Sequence, residues 1–350
     1  MMQSRRQPRN ISILRSEKIL RYFDSIFHQI IFFIILYKME NSQLTINDIF
    51  KSSDPIMLKM FQNAVGLFWS DSEIEASKDD FQDVPLDIVD LIKTITTFFS
   101  VADVIVMQNT SQFITEIQDK NAQLFYRYQA YNEAIHSIVY SNFFHHFIKD
   151  KDQSIYLNKT SDIIREKIEF AKKFTDVSLP LRQRIFGFTI IEHIFFSGSF
   201  ASIYWIKSQR YVPEFTRAND LISKDEATHV DFGSYFLKKL NAIDSIAMSS
   251  LIREAVEIEI KFASKIMPNY PNFSIESMTQ YIQYIADYLL ASLGLEKVYF
   301  SKNPFEFMNS IHLQIKSNFF ESEGTAYSAT SGANDTFLPI TSKRQRVSIE

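Results

Sequence analysis

The 350-residue sequence contains no cysteine. That absence excludes disulfide scaffolds, thiolate zinc sites and cysteine nucleophiles together. Glycine and proline are also scarce, at 7 and 9 residues, where average usage would give roughly 7% and 5% of a chain. Few breakers and long periodic stretches argue against a sandwich or a doubly wound sheet and for an all-α protein. Charge of one sign is lacking too: the formal net charge is −4, which gives no general case for a nucleic-acid partner. The apolar run IIFFIILY at 30–37 is far shorter than the ~20 residues that cross a bilayer, so no membrane partner is expected. With 46% hydrophobic residues a sizeable core is available. The chemistry must come from carboxylates, imidazoles and phenols.

The first 38 residues hold seven basic and two acidic side chains. Residues 1–50 are read as an extension outside the fold, with Met39 a candidate start and a transit peptide the alternative. Residues 51–320 are expected to form one helical domain, with helices over 56–69, 85–112, 117–147, 160–174, 181–208, 219–240, 244–266, 274–298 and 304–318. Asp83 and Asn219 are candidate caps, and Pro213, Pro268 and Pro271 mark breaks. Residues 321–350 are polar and aperiodic, and read as a flexible tail.

Within NEAIHSIVY, Glu133, His136 and Tyr140 share one helical stripe in a largely apolar and aromatic segment. Burying such groups is costly without partners. LISKDEATHVDF repeats the spacing with Glu226 and His229. Residues at i and i+3 project side by side, so a carboxylate oxygen and an imidazole nitrogen can share one ion. Helix bundles that hold two iron or manganese ions use two such pairs plus one acid from each of two further helices. Oxygen and imidazole donors suit those metals. Glu192 is the one acid in FTIIEHIFFSGSFASIYW and supplies the third carboxylate. The fourth is sought near 65–80, where Asp71, Glu73, Glu75, Asp79 and Asp80 are all open.

Five stretches, IEHIFFSGSFASIYWIKSQ, NDLISKDEATHVDFG, EAIHSIVY, LASLGLEKVYFSKNPFEFM and SNFFESEG, resemble the small, radical-generating subunit of class I ribonucleotide reductase, in its eukaryotic and viral branch. They fall in the family's order between residues 56 and 328. The resemblance implies a ferritin-like di-iron-carboxylate helix bundle, cytoplasmic, with iron (manganese as the alternative) held by Glu75, Glu133, His136, Glu192, Glu226 and His229. It selects Glu75 through WSDSEIEASKD, where the family has aspartate. It further implies a radical on Tyr140, an apolar pocket of Phe196, Phe200 and Ile222, and Asp225 holding the outer nitrogen of His136. Tyr327 would hand the radical equivalent to the large subunit, which reduces ribonucleotides to deoxyribonucleotides. Gly198 would let its helix bend or bulge beside the metals.

Some positions depart from the family. Leu58 stands where the first relay tryptophan is expected, Lys224 replaces an arginine, and the chain ends in the basic KRQRVSIE. Two readings follow: a working radical subunit, expected as a homodimer, or an auxiliary paralogue that forms a heterodimer with a normal small subunit. A ferritin-like iron store is a third reading that needs neither Tyr140 nor Tyr327.

Overall fold

The computed structural model describes residues 54–240 and 244–308. The expected extension, Met39, the tail and Tyr327 lie outside the described residues. From Ile56 onward these residues belong to one unit, and no strand occurs among them.

Among the described residues ten α-helices follow in order: α1 Pro55–Gly66, α2 Leu86–Glu116, α3 Lys120–Phe147, α4 Asp150–Ile163, α5 Arg165–Lys172, α6 Leu181–Ile190, α7 Ser197–Ser208, α8 Pro213–Lys239, α9 Ser245–Ile266 and α10 Ile275–Ser292. Helices α6 and α7 are two parts of one rod, joined through a π-helical turn at Ile191–Phe195. The longest pairing is between α2 and α3, joined by only three residues, so they lie as antiparallel neighbours. The α6–α7 rod and α8 complete the bundle, with α9 and α10 packed on the π-turn and α7. By length and composition alone Leu181–Ser208 could cross a membrane, but 94% of its most apolar window is buried inside the fold. It is the core rod of the bundle.

Local chemistry explains most boundaries. The Asp119 carboxylate accepts from the Asn121 and Ala122 amides at the start of α3, and Asp244 does the same for α9. Helix α10 stops before Gly294, whose φ of +76° an L side chain disfavours, short of the expected end at 298. Two expected caps are corrected. Asp83 takes φ +61° and leaves Pro85 to open α2. Asn219 lies inside α8, which begins six residues earlier with Pro213 at its first position. The α8 amides at Glu214 and Phe215 donate to the Asp79 carboxylate at 2.9 and 2.7 Å, so the cap comes from a segment distant in sequence. The helix expected over 160–174 is two helices, α4 and α5, broken at Ile164.

Candidate metal centre

Helix α3 presents Glu133 and His136, α8 presents Glu226 and His229, and the π-turn presents Glu192. All five are buried. Each glutamate of the two pairs divides its oxygens between the two imidazoles. Glu133 lies 3.6 Å from His136 Nδ1 through Oε2 and 3.1 Å from His229 Nδ1 through Oε1. Glu226 lies 3.1 Å from His136 Nδ1 and 3.5 Å from His229 Nδ1. Neither Nδ1 makes a hydrogen bond of proper geometry, and nor do these four oxygens. Buried polar atoms left this way are costly. Two carboxylates that each reach two nitrogens would be placed to hold cations at this centre.

The sixth residue is Asp103 of α2. One atom each from Asp103, Glu133 and His136 lie within 4.8 Å of one another, as do atoms of Glu133, Glu192 and His229. Asp103 thus completes the His136 half and Glu192 the His229 half. Glu75, expected in this role, is corrected: its side chain is 60% exposed and pairs with Lys78 at 2.7 Å. It sits between two short 3₁₀ turns ahead of α2, outside the bundle. The sequence carried a usable signal, since Asp103 is the one acid in LIKTITTFFSVADVIVMQ, the same pattern that marked Glu192.

Four carboxylates face two imidazoles in a dry pocket, and two divalent cations would balance their charge. The electrostatics show the demand for positive charge. Burial pushes the Asp103 and Glu192 carboxyls well above the usual carboxylate range, and the neighbouring acids add to this. Burial would also raise Glu133, but the adjoining His136 and His229 bring it down to about 2. Burial would lower both imidazoles, yet Asp225 with Glu133 and Glu226 for His136, and Glu133 with Glu226 for His229, raise them well above their usual value. Protons are drawn to the places where cations would sit. Oxygen and imidazole donors without thiolate fit iron or manganese.

The two halves differ behind the donors. His136 Nε2 lies 3.1 Å from Asp225 Oδ2, and the Trp69 indole N–H donates to that same oxygen at 2.7 Å. The indole also stacks on the His136 ring, with centroids 6.0 Å apart. Leu58, read as an interruption in a relay, is half-buried on α1, and the indole in contact with the site is that of Trp69. On the other side Gln129 donates to Glu192 Oε1 at 2.6 Å, a contact the sequence reading missed. A cleft lined by Glu192, Phe200, Glu226, Ile285 and Tyr288 reaches the two carboxylates there.

Tyr140, one turn beyond His136, is fully buried and its hydroxyl donates to Asn219 Oδ1 at 2.6 Å. Its ring stacks on Phe99 at 4.7 Å, and Phe99 in turn touches Phe196 at 5.2 Å and Phe200 at 5.3 Å. Phe196, Phe200 and Ile222 are all buried. Phe99, absent from the sequence reading, joins Phe196 and Phe200 to Tyr140.

A helical bundle enclosing two carboxylate–histidine pairs defines a class, the carboxylate-bridged metal proteins built on ferritin-like bundles. The comparisons narrow it. The profile of the family "Ribonucleotide reductase, small chain" matches residues 46–304. The ribonucleoside-diphosphate reductase small chain of vaccinia virus (strain Ankara) is 37% identical over 270 residues, covering 75% of this chain and 85% of that one. A ribonucleoside-diphosphate reductase small chain of Arabidopsis thaliana is 37% identical over 286 residues, 79% of this chain and 86% of that one. The Rnr4 homodimer structure of Saccharomyces cerevisiae superposes with a TM-score of 0.69 at 26% identity, over 89% of this chain and 99% of that one. The chain belongs to the ribonucleotide reductase small-chain family.

Proposed function

We propose that this chain is a radical-generating small subunit, which holds two iron ions, forms a radical on Tyr140 and supplies it to a large subunit for the reduction of ribonucleotides. The ligand set in this reading is Asp103, Glu133, His136, Glu192, Glu226 and His229. The observation that carries it is the division of the Glu133 and Glu226 oxygens between the two Nδ1 atoms. When bound, the ferrous pair would supply electrons to oxygen and so provide the oxidant for one electron of Tyr140.

The chain's own residues do the rest. Burial and the nearby Asp103 push the Tyr140 phenol well above its usual value, so it enters as the protonated phenol, oriented by its bond to Asn219. Loss of an electron from a phenol this buried must be accompanied by loss of its proton, because a phenol radical cation has no solvation there. The proton would pass to a carboxylate of the site, Asp103 being the one that acts most strongly on the phenol. Phe99, Phe196, Phe200 and Ile222 exclude water from the ring. Asp225 fixes the His136 ring and joins it by hydrogen bonds to Trp69, an oxidisable side chain only 6% exposed. This gives the site a connection outward, in the direction a radical equivalent must leave. Tyr327 would extend that route in the tail. A homodimer in the cytoplasm belongs to the same reading.

The auxiliary reading drew on Leu58 together with Lys224 and the basic end KRQRVSIE; Trp69 bonded to Asp225 removes the weight of Leu58, and no observation favours that reading. An iron store would have no use for a phenol beside the metals. The test is to load the metal-free protein anaerobically with ferrous iron, admit oxygen and record an electron paramagnetic resonance spectrum. A tyrosyl signal that is lost in Tyr140→Phe is expected. Bound iron with no radical would overturn the reading, and so would a radical that persists in Tyr140→Phe.

A further inference from the structure

A second buried charge cluster lies beside the π-turn. Lys167 of α5 and Glu259 of α9 are 4% and 0% exposed and 2.7 Å apart. The Lys167 ammonium also donates to the Phe195 carbonyl at 2.7 Å. The other Glu259 oxygen accepts from the Gly198 amide at 3.1 Å. Phe195 ends the π-turn and Gly198 lies in the first turn of α7, where helix ends leave carbonyls and amides without ladder partners. A Cβ on Gly198 would stand 2.6 Å from the Glu259 oxygen, so any other residue there would push the carboxylate off the amide. The ammonium lies 3.3 Å from the Phe262 ring centroid and 4.3 Å from that of Phe98. Phe98 packs on Phe99 and Phe196.

Ion pairs this dry are weak contributors to stability, and apolar replacements of similar volume are often neutral or better. What an apolar pair could not do here is bind a carbonyl and an amide three residues apart. We propose that the Lys167–Glu259 pair is a clamp on the π-turn, fixing its junction with α7 and thereby positioning Glu192 toward the metals and Phe196 beside Phe99. Lys167 and Glu259 touch neither the donor atoms nor Tyr140, so both are positioning residues. The link to metal geometry rests on the function proposed above; the clamp on the backbone does not.

The test compares the full-length wild-type chain with the double variant Lys167→Met/Glu259→Leu, which removes both charges and keeps apolar volume. Two readouts are taken on metal-free protein and one with metal. Melting temperature establishes that the variant folds. Hydrogen exchange is followed in peptides covering 188–203, where the clamp predicts exchange faster by about tenfold or more, with α2 and α3 unchanged. Titration with manganous ion alone should then show one site weakened by about tenfold or more and the other much less, since only one half uses Glu192. If the variant fails to fold, Glu259→Gln, which keeps the shape and removes the charge, takes its place, with the same exchange pattern at smaller amplitude expected. Unchanged exchange at 188–203 in a folded variant overturns the clamp. Faster exchange with wild-type affinity at both sites overturns its role in positioning Glu192. Wild-type protein that takes up no metal would instead defeat the proposed function, while the exchange result still decides the clamp.

Discussion

Two clusters of buried charge lie within a few residues of the same π-turn and have opposite internal balance. Lys167 and Glu259 neutralise each other and give their spare hydrogen-bonding capacity to backbone groups. Asp103, Glu133, Glu192 and Glu226 outnumber the imidazoles they face, and the oxygens of Glu133 and Glu226 have no hydrogen bonds at all. The first cluster is neutral in the protein alone, although Glu259 Oε2 meets Lys167 as an ion pair without a hydrogen bond of proper geometry. The second is complete only with added cations. Burial by itself, or a single oxygen without a hydrogen bond, therefore does not mark a functional site; burial with unbalanced charge and a converging set of orphaned donor atoms does.

The largest break in this comparison is Lys167→Met alone, which strands the Glu259 charge in the core. It should cost about 3–5 kcal/mol, read as a fall in the denaturant midpoint, and much of the loss should return in the double variant with Glu259→Leu.

Next comes pH. Glu259 is pushed up to about 7 by burial and Lys167 down to about 8, also by burial. Between about pH 4.5 and 7 the native state holds a proton on Glu259 that the unfolded chain has released, so stability falls as pH rises. Between about pH 8 and 10.5 the unfolded chain holds the proton on Lys167, so stability rises with pH. Relative to the double variant, metal-free wild type should be weakest near pH 7–8, with each limb amounting to about 3 kcal/mol. A flat difference across pH 5–10 in paired melts would remove the ionised pair from the account.

Cations sharpen the contrast from the other side. Manganous ion at 100 times its dissociation constant should stabilise the fold by ~2.7 kcal/mol for each site filled, measured by thermal melts. The double variant at the clamp should lose about half of the gain at the Glu192 site and keep that at the other, whereas Asp103→Ala should lose the gain at the His136 site. The smallest effect is expected of Glu75→Ala, an exposed acid outside both clusters: under about 0.5 kcal/mol in stability and none in manganous titration. Any loss of metal by Glu75→Ala would restore that residue to the site and challenge Asp103.

The twin glutamate–histidine pairs are legible because i and i+3 adjacency is a property of the helix itself. Glu192 is legible because one acid in an apolar run has no other reason to be there, and the same signal stands at Asp103. That signal is overlooked when the fourth acid is sought at 65–80 and a family pattern then selects Glu75. The π-turn is anticipated as a bend or bulge beside Gly198 but not located at Ile191–Phe195, since its place depends on what receives its backbone groups, and Lys167 and Glu259 come from α5 and α9. The start of α8 is misplaced for a related reason: Asn219 has the chemistry of a cap, but the cap is Asp79, more than a hundred residues earlier, and Asn219 instead accepts from Tyr140.

The sequence by itself determined the helices, the apolar faces and the paired donors, because these follow from periodicity and from contacts within one turn. Which acid meets which imidazole, which tryptophan reaches Asp225 and what holds the π-turn were decided only by the packing of separate helices. Those contacts join residues that no local rule relates, and their energies exist only once water has been excluded from the space between them.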